Sequence, residues 1–153
     1  MIETKQISFS EILPIWAEYL WPGRTSPIEH YSCIEYGSHP YTYDMTYKYA
    51  KPTFIALYDN NRLIGVNSGH NTGKTYRSRG LYVFNEYRGN GYGTVLLLET
   101  IKVAKELGST SIWSMPRQTS MQSYASAGFE LTSEWFPTET SDCNAYVSLN
   151  FDK

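Results

Sequence analysis

Three alternating glycines, Gly89, Gly91 and Gly93, sit in the stretch Leu81-Tyr82-Val83-Phe84-Asn85-Glu86-Tyr87-Arg88-Gly89-Asn90-Gly91-Tyr92-Gly93-Thr94. An apolar run precedes them and a helical pattern follows. A helix leaves its first four N–H groups unpaired and gathers partial positive charge at that end. Glycine at these positions removes the Cβ atoms that would hold a diphosphate away from the main-chain donors. The amides of Gly89, Asn90, Gly91, Tyr92, Gly93 and Thr94 therefore form a candidate anion cradle, with the Thr94 hydroxyl as one further donor. Arg88 either reaches a phosphate oxygen or braces the turn. The plain alternative is a glycine-rich turn that only starts a helix.

Two other phosphate-binding patterns do not fit. A dinucleotide fingerprint needs Gly-x-Gly-x-x-Gly directly after its strand. Here Thr94 stands where the third glycine belongs, and five residues separate Val83 from Gly89. A P-loop ends in Gly-Lys-Ser/Thr, and no lysine follows Gly93.

The elements that must position this loop can be read from periodicity. Residues 9–20 carry apolar side chains at helical spacing (Ile12, Leu13, Ile15, Trp16, Tyr19, Leu20), with Ser10-Glu11 in the first turn and Pro22-Gly23 as a stop. Residues 27–36 read as a second short helix between Ser26 and Gly37, and residues 38–51 as a tyrosine-rich loop over the site. The period then changes. Residues 52–58, 63–68 and 75–83 read as three antiparallel strands, joined through Asp59-Asn60-Asn61-Arg62 and Asn71-Thr72-Gly73-Lys74. Residues 92–107 form the strongest helix: a Leu97-Ile101-Ala104 stripe flanked by Leu96, Val103 and Leu107, with Gly108 as its stop. Residues 111–115 read as a strand parallel to the third of the meander, since a helix makes the crossover. A helix over 120–127 and a closing β pair, 130–136 and 145–151, complete the order, and residues 1–9 are a weak candidate for a first strand. No linker, repeat or second domain is visible, so residues 1–153 are expected to form one domain.

The loop resembles the Arg/Gln-x-x-Gly-x-Gly/Ala motif of the Gcn5-related N-acetyltransferase (GNAT) superfamily, with Arg88, Gly91 and Gly93 in register. The element order is similar over nearly the whole chain. The resemblance implies an α+β (α/β) GNAT fold: a mixed, mostly antiparallel sheet of six to seven strands flanked by about four helices, with central parallel strands that splay. It implies acetyl-CoA as co-substrate, its diphosphate on residues 88–94 and its pantetheine arm along the backbone of Leu81, Tyr82 and Val83. The segment Tyr124-Ala125-Ser126-Ala127-Gly128-Phe129 is similar to the family's Tyr-x-x-x-Gly-Phe, whose tyrosine points at the thioester sulfur. A phenol with an ordinary pKa near 10 can protonate a departing thiolate; the alternative is a core tyrosine capping the last helix. Many relatives carry asparagine seven residues before that tyrosine. Here the position is Arg117, a candidate donor to the coenzyme.

No general base stands out. His70 has a suitable intrinsic pKa, and Glu29, Glu35 and Asp44 are further candidates, while Glu86 reads as solvated. Neither Cys33 nor Cys143 lies in a recognisable nucleophile setting, so direct attack by a primary amine in a ternary complex is expected over an acetylated enzyme. The expected acceptor is a small-molecule amine, an amino acid, or a protein N-terminus or lysine. The mildly acidic chain and its tyrosine-rich N-terminal part lean toward a small cationic or aromatic-tolerant amine. An acyl-CoA-binding module without turnover is the alternative. The aromatic cluster from Trp16 to Tyr49 either walls an acceptor pocket or packs the domain.

Composition removes other classes. With 13 Lys+Arg against 15 Asp+Glu and no block of like charge, dedicated nucleic-acid binding is not expected. No apolar run approaches a membrane span. The start Met1-Ile2-Glu3-Thr4-Lys5 does not resemble a signal peptide, and the two cysteines lack metal-ligand spacing. The expectation is a cytoplasmic protein, monomeric or homodimeric, binding no metal, with reduced thiols; a Cys33–Cys143 disulfide stays open.

Overall fold

The computed structural model describes residues 1–32, 51–72, 74–138 and 143–151. The expectations for residues 33–50, including Cys33, Glu35, Asp44 and most of the tyrosine-rich loop, lie outside them. Seven strands form one sheet in the order β1-β2-β3-β4-β5-β7-β6. They are β1 (Ile2–Ile7), β2 (Thr53–Asp59), β3 (Arg62–Thr72), β4 (Thr75–Val83), β5 (Ser111–Ser114), β6 (Glu130–Leu131) and β7 (Val147–Asn150). All neighbours pair antiparallel except β4 and β5, which run parallel as the crossover helix requires. The α-helices among the described residues are α1 (Phe9–Ile15), α2 (Tyr92–Glu106) and α3 (Met121–Ser126).

Local chemistry accounts for the boundaries. Ser8 caps α1 in a capping box: its hydroxyl accepts the Glu11 N–H at 3.2 Å, and the Glu11 carboxylate accepts from Ser8. After Ile15 the helix widens into one π turn, Trp16–Leu20, closed by Trp21 N–H on the Trp16 carbonyl at 2.7 Å. Between β2 and β3, Asn60 and Asn61 both take positive φ (52° and 68°), the geometry of a two-residue hairpin turn.

The sheet buries both faces. Ile55, Leu57, Tyr76 and Ile112 point toward α2 and α3, meeting Leu96, Leu97, Ile101, Ala104 and Tyr124. Their strand neighbours Phe54, Ala56 and Val66 point the other way, against Ile12 and Trp16 of the N-terminal helix. A smaller cluster of Trp113, Phe136 and Tyr146 covers that second face near β5.

Several expectations need correction. Residues 27–32 carry no helix, so three helices flank the sheet among the described residues rather than about four. Arg79 Nη1 holds the Glu29 carbonyl at 2.8 Å and His70 sits against the Ser32 carbonyl, so this backbone serves the sheet instead of its own helical bonds. The closing strands are shorter than expected: beyond Leu131, Ser133 Oγ takes the Tyr146 N–H at 2.8 Å, a rung a strand backbone would otherwise make. Leu107 is 60% exposed, because it is the cap residue rather than part of the buried stripe.

Candidate active site

Strands β4 and β5 pair only from Thr75–Ser111 to Arg77–Trp113. From Ser78 onward, the edge of β4 that faces β5 has no strand partner among the described residues, although its other edge stays paired to β3 through Tyr82–Val66 and Val83–Gly65. The splay opens a cleft that passes between the two faces of the sheet. Ser78, Gly80 and Leu81 line one wall, Ser114 and Met115 the other, and Tyr124 rises into it from α3.

Tyr124 is 2% exposed, and its hydroxyl lies 2.9 Å from Ser114 Oγ and 3.1 Å from Ser78 Oγ. The proton directions follow from the neighbours. Ser114 donates to the Ser78 carbonyl at 2.6 Å, which uses its one proton. Tyr124 therefore donates to Ser114 Oγ, and Ser78 donates to Tyr124. Ser78 in turn accepts from Asn67 Nδ2 at 2.9 Å; Asn67 also reaches Thr100 Oγ1, which donates to the Leu96 carbonyl. This buried chain fixes the phenol at the splay. Burial raises its pKa above 10, offset only in part by the hydrogen bonds with Ser114 and Ser78, so the group is a proton-bearing acid at neutral pH.

The loop before α2 presents unclaimed backbone donors to open space. Gly91 is the N-cap of α2 with φ of +79°, and Gly89 has φ of +83°; a Cβ at either would project into open space. The first helical bond is Val95 N–H to the Gly91 carbonyl. Among the described residues, no backbone carbonyl takes the N–H groups of Gly89, Asn90, Gly91, Tyr92, Gly93 or Thr94. These donors and the clear space above them fit a diphosphate. Gly93 has a different reason: a Cβ there would lie 2.5 Å from Ser123 Oγ, so this glycine lets α2 and α3 touch. Arg88 braces the turn, its Nε donating to the Val83 carbonyl at 2.8 Å and its guanidinium over the Tyr82 ring at 5.1 Å. Tyr82 itself stacks on Tyr19, while Leu81 and Val83 pack toward the α2 core.

Other expected residues fall elsewhere. Arg117 lines the cleft, but its Nη2 donates to the Leu20 carbonyl at 2.8 Å, at the end of the π turn. His70 is fully buried and does not line the cleft; its Nε2 lies 3.2 Å from the Ser32 carbonyl. Burial, then the charges of Arg77 and Arg79, hold its pKa well below 6.5, so the ring is neutral. Glu29 contributes its carbonyl to Arg79 rather than a carboxylate to the cleft.

The Acetyltransferase (GNAT) family model matches residues 15–129, well over half of the 153 residues. The chain belongs to the GNAT acetyltransferase family. Its fold is shared with solved GNAT structures at low identity. An IAA acetyltransferase from Bacillus cereus ATCC 14579 aligns over 99% of this chain and 100% of its own, with a TM-score of 0.70 at 15% identity. An acetyltransferase from Bacillus subtilis in complex with CoA aligns over 98% and 97%, with a TM-score of 0.61 at 17% identity. The PaiA N-acetyltransferase from Thermoplasma acidophilum in complex with coenzyme A aligns over 65% of this chain but only 61% of its own, at 0.55 and 19%. No curated protein matches the sequence significantly.

In this GNAT chain, the sequence reasoning missed the residues that frame the phenol, Ser78, Ser114, Asn67 and Thr100, and the arginines Arg24, Arg77 and Arg79 that line the cleft with Arg117. One signal was available. Tyr76-Arg77-Ser78-Arg79 alternates inside a strand of the expected meander, and two arginines on one face of a mid-sheet strand must be partnered or face a site. Among the described residues no His/Cys/Asp/Glu cluster has the arrangement of a metal site, and no helix is long and apolar enough to cross a membrane.

Proposed function

We propose that this protein transfers the acetyl group of acetyl-CoA to a primary amine by direct attack within a ternary complex. The observation that carries the reading is the Tyr124 hydroxyl, fixed in the β4–β5 splay beside an α2 N-terminus with unclaimed N–H groups. The amides of residues 89–94 hold the diphosphate, and the unpaired edge of β4 at Leu81, Tyr82 and Val83 holds the arm behind it. The coenzyme supplies a thioester, an acyl donor whose leaving group is a thiolate. A main-chain N–H of the open β4 edge polarises the carbonyl oxygen as charge develops on it.

The balance of the step is simple. The nitrogen of the neutral amine bonds to the carbonyl carbon, and the carbon–sulfur bond breaks. Tyr124 gives its proton to the sulfur and recovers one from solvent, relayed by the surrounding hydroxyls. The amine's surplus proton leaves to water, since among the described residues no carboxylate and no imidazole lines the cleft. His70, buried and neutral behind Arg77 and Arg79, has no part in this step.

The test is thiol release from acetyl-CoA across a panel of primary amines, alongside calorimetry with CoA. Amine-dependent release of one thiol per amide is expected. Coenzyme binding without release on any amine would replace this reading with that of an acyl-CoA-binding module, and no binding at all would remove both.

A further inference from the structure

Strand β4 carries one residue more than β3 at the point where the gap opens. Ser68 pairs with Arg79 and Val66 with Tyr82, so Gly80 and Leu81 together face Asn67 alone. The extra residue makes a β-bulge, and Gly80 absorbs it with φ of +81°. The direction of its N–H follows from its neighbours. Ser114 Oγ donates to the Ser78 carbonyl from the β5 side at 2.6 Å, and Ser68 Oγ on β3 donates to the Arg79 carbonyl at 2.6 Å. The Arg79 carbonyl is thus turned toward β3. A planar trans peptide sends its N–H opposite to its carbonyl. The Gly80 N–H therefore points away from β3 and into the gap, past the last β4–β5 rung at Arg77–Trp113.

The strand ladder does little to steady this residue. Among the described residues, Gly80 has no register partner on β3 or on β5, and glycine has the widest choice of φ and ψ. A side chain supplies the missing restraint. Trp16 Nε1 donates to the Gly80 carbonyl at 2.9 Å, and a Cβ on Gly80 would collide with the same indole. Trp16 is itself fully buried, wedged between Phe9, Trp21 and Phe54 with ring centroids 6.4, 5.2 and 6.1 Å away. It opens the π turn, whose last residue, Leu20, offers its carbonyl to Arg117 Nη2 beyond β5. The turn so bridges both lips of the gap, and π turns gather at functional sites.

We propose that Trp16 is a positioning residue for acetyl transfer: its indole N–H holds the bulge so that the Gly80 N–H donates to the thioester carbonyl oxygen as negative charge gathers there. Such a donor is effective when it is fixed before the reaction, because it then costs no reorganisation. Trp16 does not line the cleft and acts only through Gly80, which does. The inference deepens the acetyltransferase reading and rests on it. Tyr124 remains the acid, at the sulfur rather than the oxygen.

The experiment removes the indole proton and observes the carbonyl itself. Trp16→benzothienylalanine puts sulfur in place of the N–H with the ring shape kept, and Trp16→Phe removes the donor with natural residues. Phe54→Leu, in the same cluster, is the packing control. Infrared spectroscopy of isotope-labelled acetyl-CoA bound to each protein reads the thioester stretch, beside kcat, KM for the amine and CoA affinity. In the unaltered chain the stretch should lie below that of free acetyl-CoA. Loss of the indole proton should return most of that shift and lower kcat about ten- to a hundred-fold, with KM for the amine and CoA affinity within about threefold. Phe54→Leu should lower Tm yet leave the stretch and kcat within about twofold. An unmoved stretch and kcat in Trp16→benzothienylalanine overturn the inference and leave the acetyltransferase intact. So does an equal loss in Phe54→Leu, which would make Trp16 a packing residue only, and so does a carbonyl stretch in the unaltered chain that matches free acetyl-CoA. Absence of turnover on every amine overturns both readings.

Discussion

Replacing Tyr124 by Phe separates a catalytic phenol from a structural one. The ring stays in its pocket, in edge contact with Phe129 at 5.0 Å, and only the oxygen leaves. Two hydrogen bonds go with it, one given to Ser114 Oγ and one taken from Ser78. Ser114 keeps its own bond to the Ser78 carbonyl, so the loss is about 1 kcal/mol per bond, or about 2 kcal/mol in all. For a chain of this length that corresponds to about 4–8 °C in Tm, leaving the protein folded at 25 °C. Proton delivery to a leaving group is worth about a hundred- to ten-thousand-fold in rate. The expected outcome is therefore a kcat lower by at least about a hundredfold. Coenzyme affinity, which the proposed binding mode assigns to the residues around Gly91, should stay within about twofold. Thiol release at saturating amine, calorimetry with CoA and a thermal melt supply the three numbers. A kcat within a few-fold of the parent, with the melt lowered as calculated, would refute the role given to the phenol. A parallel fall in coenzyme affinity would show that the cleft, rather than the proton, had been damaged.

Gly91→Ala puts a methyl group into the open space at this loop and strains a backbone at φ of +79°, so on the proposed binding mode KM for acetyl-CoA should rise about ten- to a hundred-fold at a stability cost of about 1–2 kcal/mol, read by initial rates and urea unfolding. Gly93→Ala drives a Cβ to 2.5 Å from Ser123 Oγ and should cost about 1–3 kcal/mol. Adding Ser123→Gly should recover part of it, and strict additivity in thermal melts would refute the contact. His70 has a pKa well below its unfolded value of about 6.5, so its contribution to stability is present above that pH and lost as pH falls toward the folded value. Below pH 6.5 unfolding free energy should drop by up to about 1.4 kcal/mol per pH unit more than in His70→Gln, measured by urea titration at several pH values.

The glycine loop, its helix and Tyr124 were legible because each rests on a local rule. Positive φ needs glycine, a helix start bares N–H groups, and Tyr-x-x-x-Gly-Phe is a short pattern. The meander was legible because β2 and β3 alternate around a two-asparagine turn. What escaped is non-local. Ser78 and Ser114 are ordinary residues until strand register brings them against Tyr124, 46 and 10 positions away in sequence. Helical spacing over residues 27–32 lost to long-range bonds from Arg79 and His70.

The three paired rungs between β4 and β5 have a mechanical meaning. Among the described residues they are the only main-chain strand pairing that joins the four-strand N-terminal half of the sheet to its three-strand C-terminal half. Past them, the Ser114–Ser78 and Tyr124 hydroxyl bonds act as side-chain stitches. An extended amide-bearing arm laid in that gap would act as a temporary eighth strand, closing a seam the polypeptide leaves unsewn. Amide protons along Ser78–Val83 should then exchange with deuterium markedly more slowly once the gap is filled.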